Sequence, residues 1–132
     1  MKKIALFTVF ACFMIILSGC GSSKEESTSY HKISAEEAKQ MMENQEVVIV
    51  DVRTEEEYAQ KHIDKAILVP NETIADEAKE KLPDKKAVYL VYCRSGNRSR
   101  AASEKLVEQG YEAVYDFGGI NDWPYEVVES HE

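Results

Sequence analysis

Cys93 closes an apolar run that begins at Val88, and Arg94, Ser95, Gly96, Asn97 and Arg98 follow at once. A helical pattern then starts and runs to Gly110. A thiol at a strand end thus meets a tight loop and a helix start, where backbone N–H groups lack partners and the helix dipole is positive. Three of the chain's four arginines, Arg94, Arg98 and Arg100, fall in this short stretch of an otherwise acidic chain. Free Cys titrates near about 8.5, and a helix N-terminus with Arg beside it lowers that value by one to several units. The chemistry on offer is that of a thiolate nucleophile. The alternative for Cys93 is a buried structural thiol, the usual state of an isolated Cys at a strand end.

Other elements must hold that loop in place. Lys32-Ile33 is a short candidate first strand, and Ser34-Ala35-Glu36-Glu37 reads as a capping box that opens a helix to about Asn44. Val47-Val48-Ile49-Val50 is an unbroken β-branched run, the mark of a strand buried on both faces. It ends at Asp51-Val52-Arg53, and Thr54-Glu55-Glu56-Glu57 caps a second short helix through about Lys61. Ala66 to Val69 gives a third strand, stopped by Pro70, and residues 71–82 an amphipathic helix with Ile74, Ala75, Ala78 and Leu82 inward. Ala87 to Tyr92 is the fourth strand and Ala113 to Tyr115 the fifth. Gly110 suits the position just past a helix end. Phe117-Gly118-Gly119 is expected to turn into a short helical piece ending at Trp123-Pro124, and the acidic tail to fray beyond Val128. Strands alternating with helices argue an α/β fold with a mostly parallel sheet. Ligands in such sheets sit beyond the carboxyl ends of the strands, so Asp51 and Cys93 are expected to share a site. Asp51 serves equally as a plain turn or capping residue.

The first residues stand apart. Lys2 and Lys3 precede an apolar stretch from Ile4 to Leu17, broken only by Thr8 and shorter than the roughly 20 residues that span a bilayer. Residues 1–19 read as a signal peptide, with an uncleaved anchor helix as the alternative. Leu17-Ser18-Gly19-Cys20 resembles the lipobox of bacterial lipoproteins, which implies cleavage before Cys20, a lipid on its sulfur, and a cell-membrane location on the extracytoplasmic face. Residues 20–29 then form a flexible tether, and the folded domain spans 30–132. Cys12 leaves with the leader and Cys20 becomes a thioether, so Cys93 is the one free thiol and no internal disulfide is possible. His31, His62 and His131 are scattered, and no metal or cofactor is expected. The full chain carries 16 basic and 24 acidic residues, and loss of the leader makes the balance more acidic. That disfavours nucleic acid as a partner of the domain, which is expected to be a monomer.

The segment Cys93-Arg94-Ser95-Gly96-Asn97-Arg98-Ser99 resembles the active-site loop of rhodanese-like sulfurtransferases. Asp51-Val52-Arg53, Glu57-Tyr58, His62-Ile63, Ala66 and Pro70 follow that family's order, as do Phe117-Gly118-Gly119 and Trp123. The resemblance covers nearly all of residues 32–128. It implies a five-stranded sheet with helices on both faces. It also implies a Cys93 persulfide that receives sulfur from a thiosulfate- or persulfide-type donor and passes it to a thiol or cyanide-type acceptor. Backbone N–H groups from Arg94 to Arg98 would cradle the persulfide, Gly96 would permit the curve, and Arg98 would brace the loop against Asp51. Arg94 would attract anionic donors, or is ordinary surface charge, as Arg100 is. Three residues depart from the pattern: Lys61 and Lys65 stand where the family usually has Gly, and Leu68-Val69 precedes Pro70. The lysines are expected to alter a surface turn only.

Two rival classes are set against this one. Cys-dependent phosphatases and arsenate reductases place five residues between Cys and Arg, whereas four separate Cys93 from Arg98. A membrane-tethered sulfur carrier or binding module would need the same Cys93 and would differ only in lacking rapid turnover.

Overall fold

The computed structural model describes residues 29–130. The leader, Cys20, residues 20–28 of the tether and His131 lie outside the described residues. The chain runs β1 (His31–Lys32), α1 (Ala35–Asn44), β2 (Val48–Asp51), α2 (Glu55–Gln60), β3 (Lys61–His62), β4 (Ile67–Leu68) and α3 (Ile74–Lys81). It continues with β5 (Val88–Cys93), α4 (Asn97–Glu108), β6 (Ala113–Gly119), a 3-10 helix (Ile120–Asp122) and β7 (Val128–Glu129).

Five strands form one sheet in the order β1-β6-β5-β2-β4, every neighbour parallel. The apolar strands foreseen in the sequence explain this: β5 is buried from Tyr89 to Cys93, as only a strand covered on both faces can be. On one face Ile74, Ala78 and Leu82 of α3 and Ala102 and Leu106 of α4 pack over Val50, Val91 and Val114. On the other Ala38 of α1, Ile120 and Trp123 pack over Ile49, Leu90, Tyr92 and Phe117. Each large apolar side chain so covered contributes roughly 1.5–3 kcal/mol. Ala75, expected inward, faces solvent, because α3 starts only at Ile74 and its buried stripe is Ile74, Ala78 and Leu82.

The chain leaves β2 toward one edge to make β4, then returns to place β5 on the other side of β2. The carboxyl ends of β2 and β5 therefore flank the switch in strand order, where α/β sheets open a crevice. Asp51 stands opposite Tyr92 across that boundary, one residue before Cys93.

Local signals act as their chemistry dictates. Ser34 accepts from the Glu37 N–H at 3.0 Å, and Thr54 with Glu57 forms a complete capping box. Gly110 takes a positive φ of 92° past the end of α4. Two expectations are corrected. The short helical piece before Trp123 is present as the 3-10 helix, but Phe117-Gly118-Gly119 does not turn: it prolongs β6, which runs to Gly119 before that helix begins. Glu129 is not frayed: β7 pairs antiparallel with β3, Lys61 opposite Glu129 and His62 opposite Val128, and the Ser130 N–H donates to the Gln60 carbonyl at 3.1 Å.

Lys65 has a φ of 67°, the one non-glycine residue in the left-handed region among those described. It occupies a position for which the family resemblance gives Gly, and the backbone is the reason: a side chain there crowds its own carbonyl. Lys65→Gly is expected to raise stability by about 0.5–1 kcal/mol, relief of strain exceeding the added freedom of the unfolded chain. A lowered midpoint of thermal or urea unfolding would contradict this.

Candidate active site

Cys93 is the last residue of β5, and its residue is 1% exposed. The chain turns sharply at Gly96, whose φ of 109° is closed to ordinary side chains, and α4 begins at Asn97. That turn brings the Gly96 N–H to 3.0 Å from the Cys93 sulfur. Ser99, on the first turn of α4, lies fully buried beneath the loop.

These donors set the charge state of the sulfur. Burial pushes the Cys93 thiol up, but the Ser99 hydroxyl and the amides of Ser99, Gly96 and Ser95 outweigh it, and the thiol is held below its ordinary value. The Ser99 hydroxyl has a single proton, and the Asp116 carboxylate accepts it at 2.7 Å. The amides therefore carry most of the lowering. Amide dipoles aimed at an anion in a dry setting stabilise it without any countercharge.

The loop is held from three sides. Beneath it, Asp116 is 1% exposed and accepts from Ser99 and from the Gly118 N–H at 2.9 Å, with Lys32 at 3.4 Å on its other oxygen. Beside it, β6 carries one extra residue against β5, since Val91 faces Asp116 and Cys93 faces Gly119. This bulge brings Gly119 against the loop backbone. A methyl group at Gly119 would overlap the Arg94 carbonyl and the Ser95 amide. In front, Arg98 makes a two-pronged ion pair with Glu57, at 2.7 and 3.0 Å.

That last contact corrects the expected brace between Arg98 and Asp51. Asp51 is fully buried and its two oxygens are already filled. Arg53 donates to it from its backbone N–H at 2.9 Å, from Nε at 3.0 Å and from a terminal nitrogen at 2.6 Å, and the Tyr92 hydroxyl donates at 2.6 Å. Tyr92 in turn accepts from the Ile63 N–H at 3.0 Å, and burial against Asp51 raises its phenol well above the usual value. Asp51 thus fixes the ends of β2 and β5 and the chain at Ile63, and reaches the loop only through Tyr92. Sequence reasoning assigned Glu57 to its helix cap alone. The cap is real, and the same carboxylate also serves Arg98. Asp116 was missed, although a lone carboxylate in the apolar run from Ala113 to Phe117 is a signal, because a buried charge demands partners.

Arg94, Ser95 and Asn97 are exposed on the outer side of the loop, and Arg100 faces solvent with no ion pair among the described residues. Arg94 borders a polar pocket of about 200 Å3 whose other walls come from Arg53, the end of α2, Lys61 and the 3-10 helix. Lys61 therefore does more than alter a surface turn. A larger cleft, of about 920 Å3, opens at the amino ends of β2 and β5, and no loop residue lines it.

Comparison with known proteins identifies the family and the fold. The family model described as a rhodanese-like domain matches residues 34–125. A thiosulfate sulfurtransferase GlpE from Coxiella burnetii is 37% identical over 95 residues, 71% of this chain and 87% of that protein. The thiosulfate sulfurtransferase PspE of Escherichia coli is 38% identical over 73 residues, 55% of this chain and 70% of that protein. Among solved structures, a rhodanese-like domain protein from Staphylococcus aureus is 35% identical with a TM-score of 0.67, covering 76% of this chain and 99% of the other. A rhodanese with anions from Escherichia coli is 34% identical with a TM-score of 0.60, covering 64% of this chain and all of the other.

Two measurements check the site. The rate of Cys93 alkylation by iodoacetamide should inflect at a pH below the ordinary thiol value of about 8.5, and an inflection above it would refute amide stabilisation of the thiolate. The Glu57 carboxyl is held down at about 2, chiefly by its bond to Arg98 against the opposing effect of burial. Its folded value lies below its unfolded one, so its stabilisation is present above about pH 4.5 and fades as pH falls toward 2. Glu57→Gln, which keeps the capping geometry, should cost about 1–2 kcal/mol at pH 7 after discounting for partial exposure. The gap from the parent protein should close in acid, and a gap independent of pH would show that the ion pair is not its source.

Proposed function

The chain belongs to the family of rhodanese-like domains, and from that premise we propose that it is a sulfurtransferase that carries sulfane sulfur as a persulfide on Cys93. In the loading step the Cys93 thiolate attacks the outer sulfur of thiosulfate. A new sulfur–sulfur bond forms, the bond to the sulfonate sulfur breaks with its electron pair, and sulfite leaves. In the discharge step an acceptor thiol, with loss of its proton, attacks the outer sulfur of the persulfide. The bond to the Cys93 sulfur breaks, the electron pair returns to Cys93 as thiolate, and the acceptor departs as a persulfide bearing the proton. This is covalent catalysis by a thiol carrier.

The observation that carries the reading is the Gly96 N–H at 3.0 Å from the Cys93 sulfur, with neighbouring amides acting in the same sense. The attacking thiolate, the persulfide anion and the departing thiolate all place negative charge at that spot. One set of fixed dipoles serves each stage without reorganising, the condition under which such stabilisation is most effective. A phosphatase reading finds less support. Arg98, the residue that would grip a phosphate in a Cys/Arg loop, is committed to Glu57 through both terminal nitrogens. The carrier reading draws on the burial of Cys93, since a nearly covered sulfur favours slow exchange with small molecules.

The extracytoplasmic location is part of the same proposal. It rests on Leu17-Ser18-Gly19-Cys20, with Cys20 holding the domain to the membrane through a lipid. Mass spectrometry of protein isolated from membranes and treated with thiosulfate tests both parts. Cys93 should gain one sulfur atom, removable by cyanide or a thiol, and the mature chain should begin at a lipid-modified Cys20. Cys93→Ser should gain no sulfur and transfer none. Transfer by that variant would refute the role of Cys93, and loading in a single round without turnover would select the carrier. An unmodified Cys20 would remove the anchor and leave the chemistry standing.

A further inference from the structure

The polar pocket beside the loop adds a specificity that the transfer chemistry alone does not require. Its volume of about 200 Å3 is below the roughly 300–1,000 Å3 of drug-sized sites, so its occupant is a small molecule. Four charged side chains line it, and two are already neutralised. Arg53 is bound to Asp51 at 2.6 Å, and Glu57 is bound to Arg98 at 2.7 Å. Lys61 and Arg94 have no ion-pair partner among the described residues. The exposed amides of Gln60 and Asn121 complete the rim. The pocket thus offers two unspent cations and two neutral amides, and one of the cations, Arg94, directly follows Cys93.

Its walls are fixed before any ligand arrives. Arg53 donates to the Lys61 carbonyl at 2.6 Å, and β7 ties Lys61 and His62 down by strand pairing. On the opposite side the Asn121 N–H donates to the Arg94 carbonyl at 3.2 Å. A preformed, cation-rimmed pocket selects a small anionic head group with little ordering cost.

Building on the sulfurtransferase reading, we propose that this pocket is the acceptor's anion subsite, where Lys61 and Arg94 hold the carboxylate of a small thiol while its sulfur attacks the persulfide on Cys93. Lys61 is then a specificity-determining residue, distinct from the loop that stabilises the sulfur. Neutral thiols accept sulfur without using the pocket, and carboxylated thiols gain affinity from it.

Two arms test this on the full folded domain. The first compares 3-mercaptopropionate with 2-mercaptoethanol as acceptors from thiosulfate-loaded protein, each corrected for its thiolate fraction. Lys61→Gln should reduce the preference for the carboxylated thiol about five- to tenfold, the loss of one charge-assisted contact, and chiefly through KM. Lys61→Arg should restore it. An unchanged preference in Lys61→Gln would overturn the assignment. So would slower loading by thiosulfate with the preference intact, which would give the pocket to the donor's sulfonate. The second arm needs no sulfur transfer. Titration with 3-(methylthio)propionate, which has no free thiol, should shift the side-chain amide resonances of Gln60 and Asn121, and Lys61→Gln should abolish the shifts. Absence of shifts in the parent protein would sink the subsite. Shifts in a protein that never loads sulfur would sustain the subsite and refute the transfer reading.

Discussion

A sulfur anion under a protein surface is tolerable only if something replaces the water it has lost. In this fold the replacement is the peptide backbone itself, with the Gly96 N–H nearest at 3.0 Å. The dipoles are part of the main chain, so no single side chain can remove them, but they count only while the loop keeps its curve. The rest of the structure serves that curve. Gly96 supplies the left-handed turn, Gly119 lets β6 pass against the loop, and the bulge between Val91 and Cys93 brings it there. Burial and dipole work against each other on the same atom, and the dipoles prevail.

Two buried carboxylates divide the work of holding the sheet's carboxyl end. Asp116 binds Ser99 and the Gly118 N–H and so anchors the first turn of α4 to β6. Asp51 binds Arg53 and Tyr92 and so anchors β2 to β5. Each satisfies its charge with several donors, which is what allows a carboxylate to stay out of water. Neither carboxylate is hydrogen-bonded to the Cys93 sulfur, whose donor is the Gly96 N–H.

The loop and the class of fold were legible in the sequence because their signals are local. Cys93, Gly96 and Arg98 lie within six residues, the caps at Ser34, Thr54 and Gly110 each need only their own turn, and the apolar runs of β2 and β5 announce a covered parallel sheet. The partner of Arg98 was not legible. Glu57 and Asp51 stand at similar distance along the chain, and what separates them is that Arg53, two residues on from Asp51 and on the same face, fills it first. The β3–β7 pair escaped for another reason. Two residues per strand carry no periodicity, and an acidic tail reads as solvated until its backbone finds Gln60, Lys61 and His62. Lys65 was read as a surface departure, and its real significance lies in the backbone angle that it endures.

The uniform direction of the five-stranded sheet has a consequence for orientation. The chain enters β1 at His31 travelling the same way as β5, and β1 lies at the edge farthest from β4. His31 stands level with Tyr115 and, through it, with Leu90, so the chain joins the sheet three residues short of Cys93 along the strand direction. The reactive sulfur therefore lies ahead of the point of entry, at the rim toward which every strand of the sheet runs.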